Sequence, residues 1–243
     1  MADGSNQLSS YIVEPTEKHT HTVIFLHGRD STVEVFAEEF FESQASDGRF
    51  LPQIFPNFKW VFPSSGFRSS ARFGTEMSQW FDMWSVEHPH ERKELQLGGL
   101  RDSVAAINTI VDSEAQIVGS DHIILGGISQ GCATAVHSLL SGKRLAAFVG
   151  FCSWMPFADE VRNGQSARTK PAATQTPVFI SHSEDDEVMP LCNGLALKDT
   201  LSQDLGINVT WKVYSDGGHW VNEPQGIDDM VTFITSAIMV EGK

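Results

Sequence analysis

The stretch that most constrains this chain is Ile123-Ile124-Leu125-Gly126-Gly127-Ile128-Ser129-Gln130-Gly131-Cys132-Ala133. It reads as an apolar strand, a sharp turn holding Gly127-x-Ser129-x-Gly131, and then small and apolar residues at helical spacing (Ala133, Val136, Leu140). A strand that turns into a helix around one residue is so tight that the positions two before and two after the apex must be nearly free of side chain. Gly127 and Gly131 meet that demand. The apex residue, Ser129, is forced into a strained backbone conformation, with its hydroxyl lifted clear of the sheet at the positive end of the following helix. The five-residue pattern alone arises by chance in on the order of a tenth of chains this long, so its weight lies in the strand before it and the helix after it.

The other apolar runs repeat the theme. Thr22 to Leu26 and Ala146 to Cys152 are continuous apolar strands of the kind buried on both faces of a parallel sheet, as are Lys59 to Pro63 and Pro177 to His182. Tyr11-Ile12-Val13 is a shorter strand. Asn208 to Tyr214 alternates apolar and polar residues and predicts a half-covered edge strand. Helical spacing is found at Val35, Phe36, Glu39 and Phe40, and a long helix is predicted from about Glu91 to Val118 through Leu100, Val104, Ile107 and Val111. Further helices are predicted over Leu191 to Asp204 and Gln225 to Met239. Strands alternating with helices predict an α/β fold with a mostly parallel, doubly wound sheet and helices on both faces. With no linker or repeat to divide it, residues 1–243 are expected to form a single domain.

Charge and cysteines narrow the function. The formal net charge is −14, from 31 acidic and 17 basic residues, and no basic cluster interrupts it; such a surface repels nucleic acid and anionic lipid. Cys132, Cys152 and Cys192 are odd in number and widely spaced, which predicts reduced thiols and a cytoplasmic location. Met1 to Asn6, acidic and polar, reads as neither a secretory signal nor a myristoylation site. No apolar run approaches the roughly 18 residues of a transmembrane segment.

A serine hydroxyl is a poor nucleophile near neutral pH and needs a base, itself held by a third group. Of the nine histidines, His219 alone follows the last strand in a Gly-rich turn, Asp216-Gly217-Gly218-His219-Trp220, and is the expected base. His27 and His182, at strand ends, read as structural; His122 and His137 read as packing or surface residues, and His88-Pro89-His90 as a loop rather than a metal site. The acid lies among Glu184, Asp185, Asp186 and Glu187, just past a strand end. The order Ser, Asp, His is that of the α/β-hydrolases. In that fold the loop after an early strand and the residue after the nucleophile supply the backbone N–H groups of the oxyanion hole, which assigns Arg29 and Gln130. An ordinary strand-end turn is the alternative for His27-Gly28. The irregular aromatic segment Gly66 to Glu94 is expected to be functional. In it Trp80 and Phe81 are candidate substrate-binding residues, with core packing as the alternative. Trp154 and Met155 fall at a strand's carboxyl end, where ligands of open α/β sheets bind.

The chain resembles the acyl-protein thioesterase and lysophospholipase branch of the α/β-hydrolases, the phospholipase/carboxylesterase family. The resemblance rests on Val23-Ile24-Phe25-Leu26-His27-Gly28, Gln79-Trp80-Phe81-Asp82, Gly127-Ile128-Ser129-Gln130-Gly131 and Cys152-Ser153-Trp154-Met155-Pro156. His182-x-x-x-Asp186-x-x-x-Pro190 and Gly218-His219 complete it. It implies a serine esterase that needs no cofactor or metal, with Ser129 as nucleophile, His219 as base and Asp186 as acid. The implied substrates are carboxylic esters or acyl thioesters, acylated proteins among them. The chain departs from the family's H-G-x-G-D-T-G after the strand, having His27-Gly28-Arg29-Asp30-Ser31-Thr32-Val33 instead, and Cys132 and Ser183 stand where glycine is usual. Arg29 and Asp30 predict a charged rim and a preference for short or medium acyl groups. The alternatives are a carboxylesterase of small, aromatic metabolite esters, with Trp80, Phe81, Trp84, Trp154 and Trp220 as stacking surfaces, and a non-catalytic binding module, which would require a broken triad.

Overall fold

The computed structural model describes residues 8–163 and 172–239, so Met1 to Asn6 lie outside the described residues. In chain order these form β1 (Ser10–Val13), β2 (His21–Leu26), α1 (Val33–Glu42), α2 (Leu51–Ile54), β3 (Phe58–Pro63), β4 (Phe67–Ser70) and β5 (Thr75–Ser78). Then come α3 (Gln96–Val118), β6 (Ile123–Ile128), α4 (Gln130–Ser141), β7 (Ala147–Phe151), α5 (Ala158–Arg162), β8 (Val178–Ser183), α6 (Leu191–Asp199), β9 (Val209–Tyr214) and α7 (Gln225–Met239). Seven strands form one sheet in the order β1-β3-β2-β6-β7-β8-β9, all pairs parallel except β1 against β3.

Strand side chains alternate between faces, and in β2 both sets are buried. Val23 and Phe25 face Phe36 and Phe40 of α1 and Ile227, Met230 and Ile234 of α7. Ile24 and Leu26 face Leu100, Val104 and Ile107 of α3 and Val136 and Leu139 of α4. Phe25 stacks on Phe40 with ring centroids 4.6 Å apart. Burying one such side chain contributes on the order of 1.5–3 kcal/mol, so apolar runs without alternation are what the inner strands require. At the far edge β9 is only half covered, as its alternation predicts.

The predicted helix from Leu191 to Asp204 is α-helical only to Asp199 and closes in a π-helical turn over Thr200–Asp204. The short helices α2 and α5 show no sequence signal, and two further differences lie nearer the site. The α-helix of the long periodic segment begins at Gln96, five residues after Glu91, because Arg92 takes a left-handed conformation (φ 48°) and Lys93–Leu95 forms a 3₁₀ turn. Gly99 in its first turn lets the helix close on the preceding loop, since a β-carbon there would lie 2.9 Å from Phe81 Cα. The segment Gly66 to Glu94 contains a two-stranded hairpin, β4 with β5, turning at Gly74 (φ 65°). Neither short strand alternates apolar and polar residues, so pattern could not reveal it. Gln79 holds it from outside the ladder, donating from Nε2 to the carbonyls of Arg68 and Ser69 (3.2 Å each).

Among the described residues no helix is long and apolar enough to cross a membrane, and Cys132, Cys152 and Cys192 are free thiols.

Candidate active site

At the end of β6 the chain turns into α4 through Ser129, which adopts φ 54° and ψ −124°. A β-carbon on Gly127 would lie 2.8 Å from Leu26 O and Cys132 N, and one on Gly131 would run into the carbonyl oxygens of Leu26 and His27. The two glycines therefore let β2 and the turn touch. The strained serine is held at both ends: its N–H donates to Phe151 O (2.9 Å), and its carbonyl accepts from Ser153 Oγ (2.8 Å). Strain of this kind, on the order of 1–3 kcal/mol, persists only where surrounding bonds over-determine it.

The acidic turn after β8 resolves its adjacent carboxylates. Asp186 is inward, its side chain fully buried. Oδ1 accepts from the N–H groups of Val188 (2.9 Å) and Met189 (2.8 Å), and Oδ2 lies 2.8 Å from His219 Nδ1 and 3.2 Å from His182 Nε2. Burial alone would raise the acid's pKa, but the bonds from His182, His219 and Met189 outweigh it and hold the carboxyl well below the usual carboxylate range. Asp185 points outward, and its Oδ1 accepts the Gly218 N–H (2.8 Å). Both carboxylates thus grip the histidine loop, Asp186 through the ring and Asp185 through the backbone beside it, where Gly217 and Gly218 take φ 121° and 60°. A carboxylate at Nδ1 fixes the proton there and leaves Nε2 as the ring's acceptor.

The other strand-end histidines, expected to be structural, are held by hydrogen bonds inside the fold. His182 Nε2 also lies 2.7 Å from Met189 O. His27 donates from Nδ1 to Gly28 O (2.7 Å) and accepts the Ser65 N–H at Nε2 (3.1 Å), while burial pushes its pKa down. With the Gly28 carbonyl held by His27, the trans peptide turns the Arg29 N–H the opposite way. Gly28 packs against Ser129, a β-carbon on it falling 3.6 Å from Ser129 Cβ. Gln130 heads α4, where N–H groups lack helical partners. Asp30, where the resembling family has glycine, takes φ 64° and donates its N–H to Ser78 O (2.7 Å).

Ser129 and His219 open into one cleft of about 350 Å³. Its walls include Gly28, Arg29, Asp30, Phe36, Glu39, Phe73, Met77, Val86, Ile128, Val188 and Trp220. Arg29 turns its side chain to the hairpin, donating from Nε to Gln79 Oε1 (3.0 Å) and from Nη2 to Ser70 Oγ (3.3 Å), with its guanidinium 5.6 Å from the Phe73 ring centroid.

The expected substrate-binding residues Trp80, Phe81, Trp154 and Met155 lie elsewhere. All four are at most 2% exposed and none lines the cleft. The polar groups of Trp80 and Phe81 are spent inside the protein. The Trp80 N–H donates to Gln130 Oε1 (2.8 Å), Gln130 Nε2 donates to Phe81 O (2.8 Å), and Trp80 Nε1 donates to His27 O (2.9 Å). This loop is a buried strut between the His27 turn and the Ser129 turn. Trp154 packs edge-on against Phe81 (6.1 Å), because the chain turns inward at Cys152 (φ 48°). Trp84 lies under the Arg92 guanidinium, 4.8 Å away. Of the five tryptophan and phenylalanine residues expected to stack on substrate, only Trp220 lines the cleft; its place beside His219 was the available signal. Phe73, Met77 and Val86 lie in the Gly66 to Glu94 segment expected to be functional, though nothing in the pattern singles them out within it, and Val188, just past the acidic turn, has no signal of its own.

Cys152 was not anticipated. It lies buried beneath the histidine loop, its thiol donating to Trp220 O (3.4 Å). One ligand atom each of Cys152, Asp186 and His219 lie within 4.8 Å of one another. Burial, reinforced by the Asp186 carboxylate, pushes the thiol's pKa well up.

Residues 8–238 match the model of the phospholipase/carboxylesterase family. The chain is 28% identical over 190 residues to acyl-protein thioesterase 1 of Schizosaccharomyces pombe, covering 76% of each chain. It is 26% identical over 244 residues to that of Cryptococcus neoformans, covering 93% of this chain and 96% of the relative. The crystal structure of Zea mays acyl-protein thioesterase 2 superposes with a TM-score of 0.77 at 24% identity, covering 95% of this chain and 99% of that one; at that identity the likeness speaks for the fold. A match spanning nearly the whole described chain, on a parallel sheet that carries the serine turn, makes this protein a member of the phospholipase/carboxylesterase family of α/β-hydrolases.

Proposed function

We propose that the chain, acting as one domain, hydrolyses carboxylic esters or acyl thioesters through a covalent acyl-enzyme on Ser129. The observation that carries this reading is that Ser129 and His219 share one cleft while the Asp186 carboxylate backs the histidine at 2.8 Å. His219 Nε2 takes the proton of Ser129 Oγ as it attacks the carbonyl carbon; Asp186 keeps the other ring proton in place and stabilises the imidazolium. The N–H groups of Arg29 and Gln130 receive the oxyanion. His219 then protonates the departing alcohol or thiol, and water repeats the sequence to release the acid.

The size of the cleft bears on substrate. About 350 Å³ is at the low end of the roughly 300–1,000 Å³ of ligand clefts, and Arg29, Asp30 and Glu39 interrupt its apolar wall. A tail gains about 0.8 kcal/mol per buried CH₂ only where the wall is apolar. This favours short or medium acyl groups. The relatives' name, acyl-protein thioesterase, supports an acylated protein as one partner; Phe36, Phe73 and Trp220 around the cleft support a small aromatic ester as a second reading. Three free thiols fit the reducing cytoplasm.

A fluorophosphonate probe tests the nucleophile. Wild type labels at Ser129, and Ser129→Ala neither labels nor turns over p-nitrophenyl butyrate above about a thousandth of the wild-type rate. Labelling of the alanine variant would remove Ser129 from the mechanism.

A further inference from the structure

Beside the proposed reacting groups lies one buried nucleophile that the mechanism leaves idle, the Cys152 thiol. A thiol, a carboxylate and an imidazole are the sulfur, oxygen and nitrogen donors that zinc takes. Here one atom of each falls within 4.8 Å of the others. In a tetrahedral site with bonds of about 2.0–2.3 Å, neighbouring ligand atoms stand roughly 3.3–3.8 Å apart. The trio therefore needs the 2.8 Å contact between Asp186 Oδ2 and His219 Nδ1 to open by about 0.5–1 Å and any pair at the 4.8 Å limit to close by about 1–1.5 Å. The His219 side chain is 22% exposed at the cleft, which gives an ion a way in.

We propose that Cys152, Asp186 and His219 form a Zn²⁺ site whose occupancy switches hydrolysis off. The charges favour it. A thiolate beside the Asp186 carboxylate in a buried place is strongly disfavoured alone, whereas thiolate, carboxylate and Zn²⁺ sum to zero. On binding, the thiol proton leaves to solvent and the imidazole proton moves from Nδ1 to Nε2, so one proton is released per ion. The fourth position takes water from the cleft. An imidazole bound to the metal through Nδ1 and protonated at Nε2 cannot accept the Ser129 proton. The inhibition thus rests on the proposed role of His219, but the binding does not.

Zn²⁺ binding is measured by competition with a chromogenic chelator, thiolate ligation by the charge-transfer absorption of the Co²⁺-substituted protein, and hydrolysis on p-nitrophenyl butyrate. The expected result is one ion per chain, a thiolate-to-cobalt band, and loss of hydrolysis in step with occupancy, reversed by EDTA. Cys152→Ser should keep its hydrolysis in EDTA, lose the band and bind Zn²⁺ about a hundredfold more weakly, since loss even of groups that only support a ligand costs 10–100-fold. Cys192→Ser should behave as wild type. Equal Zn²⁺ inhibition of Cys152→Ser, or a band that vanishes in Cys192→Ser, would overturn the site. A Cys152-dependent band with hydrolysis intact would uphold the site and refute His219 as the base. If serine at this left-handed position prevents folding, Cys152→Ala replaces it. If that fails too, the Co²⁺ band in Cys192→Ser, whose remaining thiols are both buried, decides: present, it supports the site, and absent, it overturns it.

Discussion

Replacing Asp186 by asparagine exchanges one oxygen for an NH₂ group, and the hydrogen bonds around the side chain dictate which way the amide must face. The carboxylate takes two N–H groups on Oδ1, from Val188 and Met189, and faces His219 and His182 with Oδ2. An amide has one oxygen. If its NH₂ were turned to the backbone, it would set donor against two donors, with a cost of about 1–3 kcal/mol for each group left unsatisfied in a buried place. Turned the other way, the NH₂ meets one donor, His182 Nε2 at 3.2 Å, whose proton still has Met189 O; the oxygen therefore stays with Val188 and Met189, and the NH₂ faces His219. The ring answers by accepting at Nδ1 and carrying its proton on Nε2, the tautomer that cannot act as a base. Wrong-tautomer substitutions cost on the order of 10⁴ in kcat, about 5.4 kcal/mol. Stopped-flow or extended-time assays on p-nitrophenyl butyrate measure the rate, and ¹⁵N chemical shifts of His219 report the tautomer. Asp185→Asn retains an acceptor for the Gly218 N–H and should cost less than twofold. An Asp186→Asn enzyme within tenfold of wild type, or a larger loss in Asp185→Asn, would refute the reasoning.

Asp185→Ala, unlike Asp185→Asn, releases the Gly218 N–H; a lost bond at an exposed site is worth about 0.5–1.5 kcal/mol, so the thermal midpoint should fall by about 1–6 °C and kcat/KM, through the loosened histidine loop, by about two- to tenfold. Acid should destabilise the fold through His21, whose pKa is lowered to about 4 by burial, then by His122 and His19. With the folded value below the unfolded value of about 6.5, its contribution is complete above 6.5 and is lost as pH falls toward 4. His21→Gln should flatten the urea midpoint across that window, and an unchanged slope would exclude His21. On p-nitrophenyl esters from acetyl to palmitoyl below the micelle threshold, kcat/KM should level off after short or medium chains; a climb through the long ones would refute the size argument.

How far the sequence is legible depends on where each residue's constraint lies. Inner strands such as β2 and β6 are buried on both faces, so their apolar runs announce them, and Gly127 and Gly131 are dictated by contacts within and beside their own turn. The hairpin β4–β5 was hidden because its support comes from Arg29 and Gln79, outside its own strands. Asp185 and Asp186 are chemically alike, and only the fold separates the one that meets the ring from the one that meets the backbone. Trp80 and Phe81 stand out in the sequence, but their direction depends on Gly99 letting α3 close over them, a contact that no local pattern records. Trp154 likewise follows a strand end, yet the left-handed Cys152 carries it into the core.

The buried strut of Trp80, Phe81 and Gln130 makes the enzyme tolerant of redesign. It ties the two backbone turns proposed to hold the oxyanion to each other through bonds that solvent and substrate never reach. Phe73, Met77 and Val188, by contrast, lie in the hairpin and the acidic turn, none of them part of the two core clusters. Substrate range can therefore drift, or be rebuilt in the laboratory, by exchanging those wall residues while the reacting atoms keep their places. The same division sets a limit: if the Arg29 and Gln130 N–H groups hold the oxyanion as proposed, an exchange at Trp80 or Gln130 should alter every substrate's rate together.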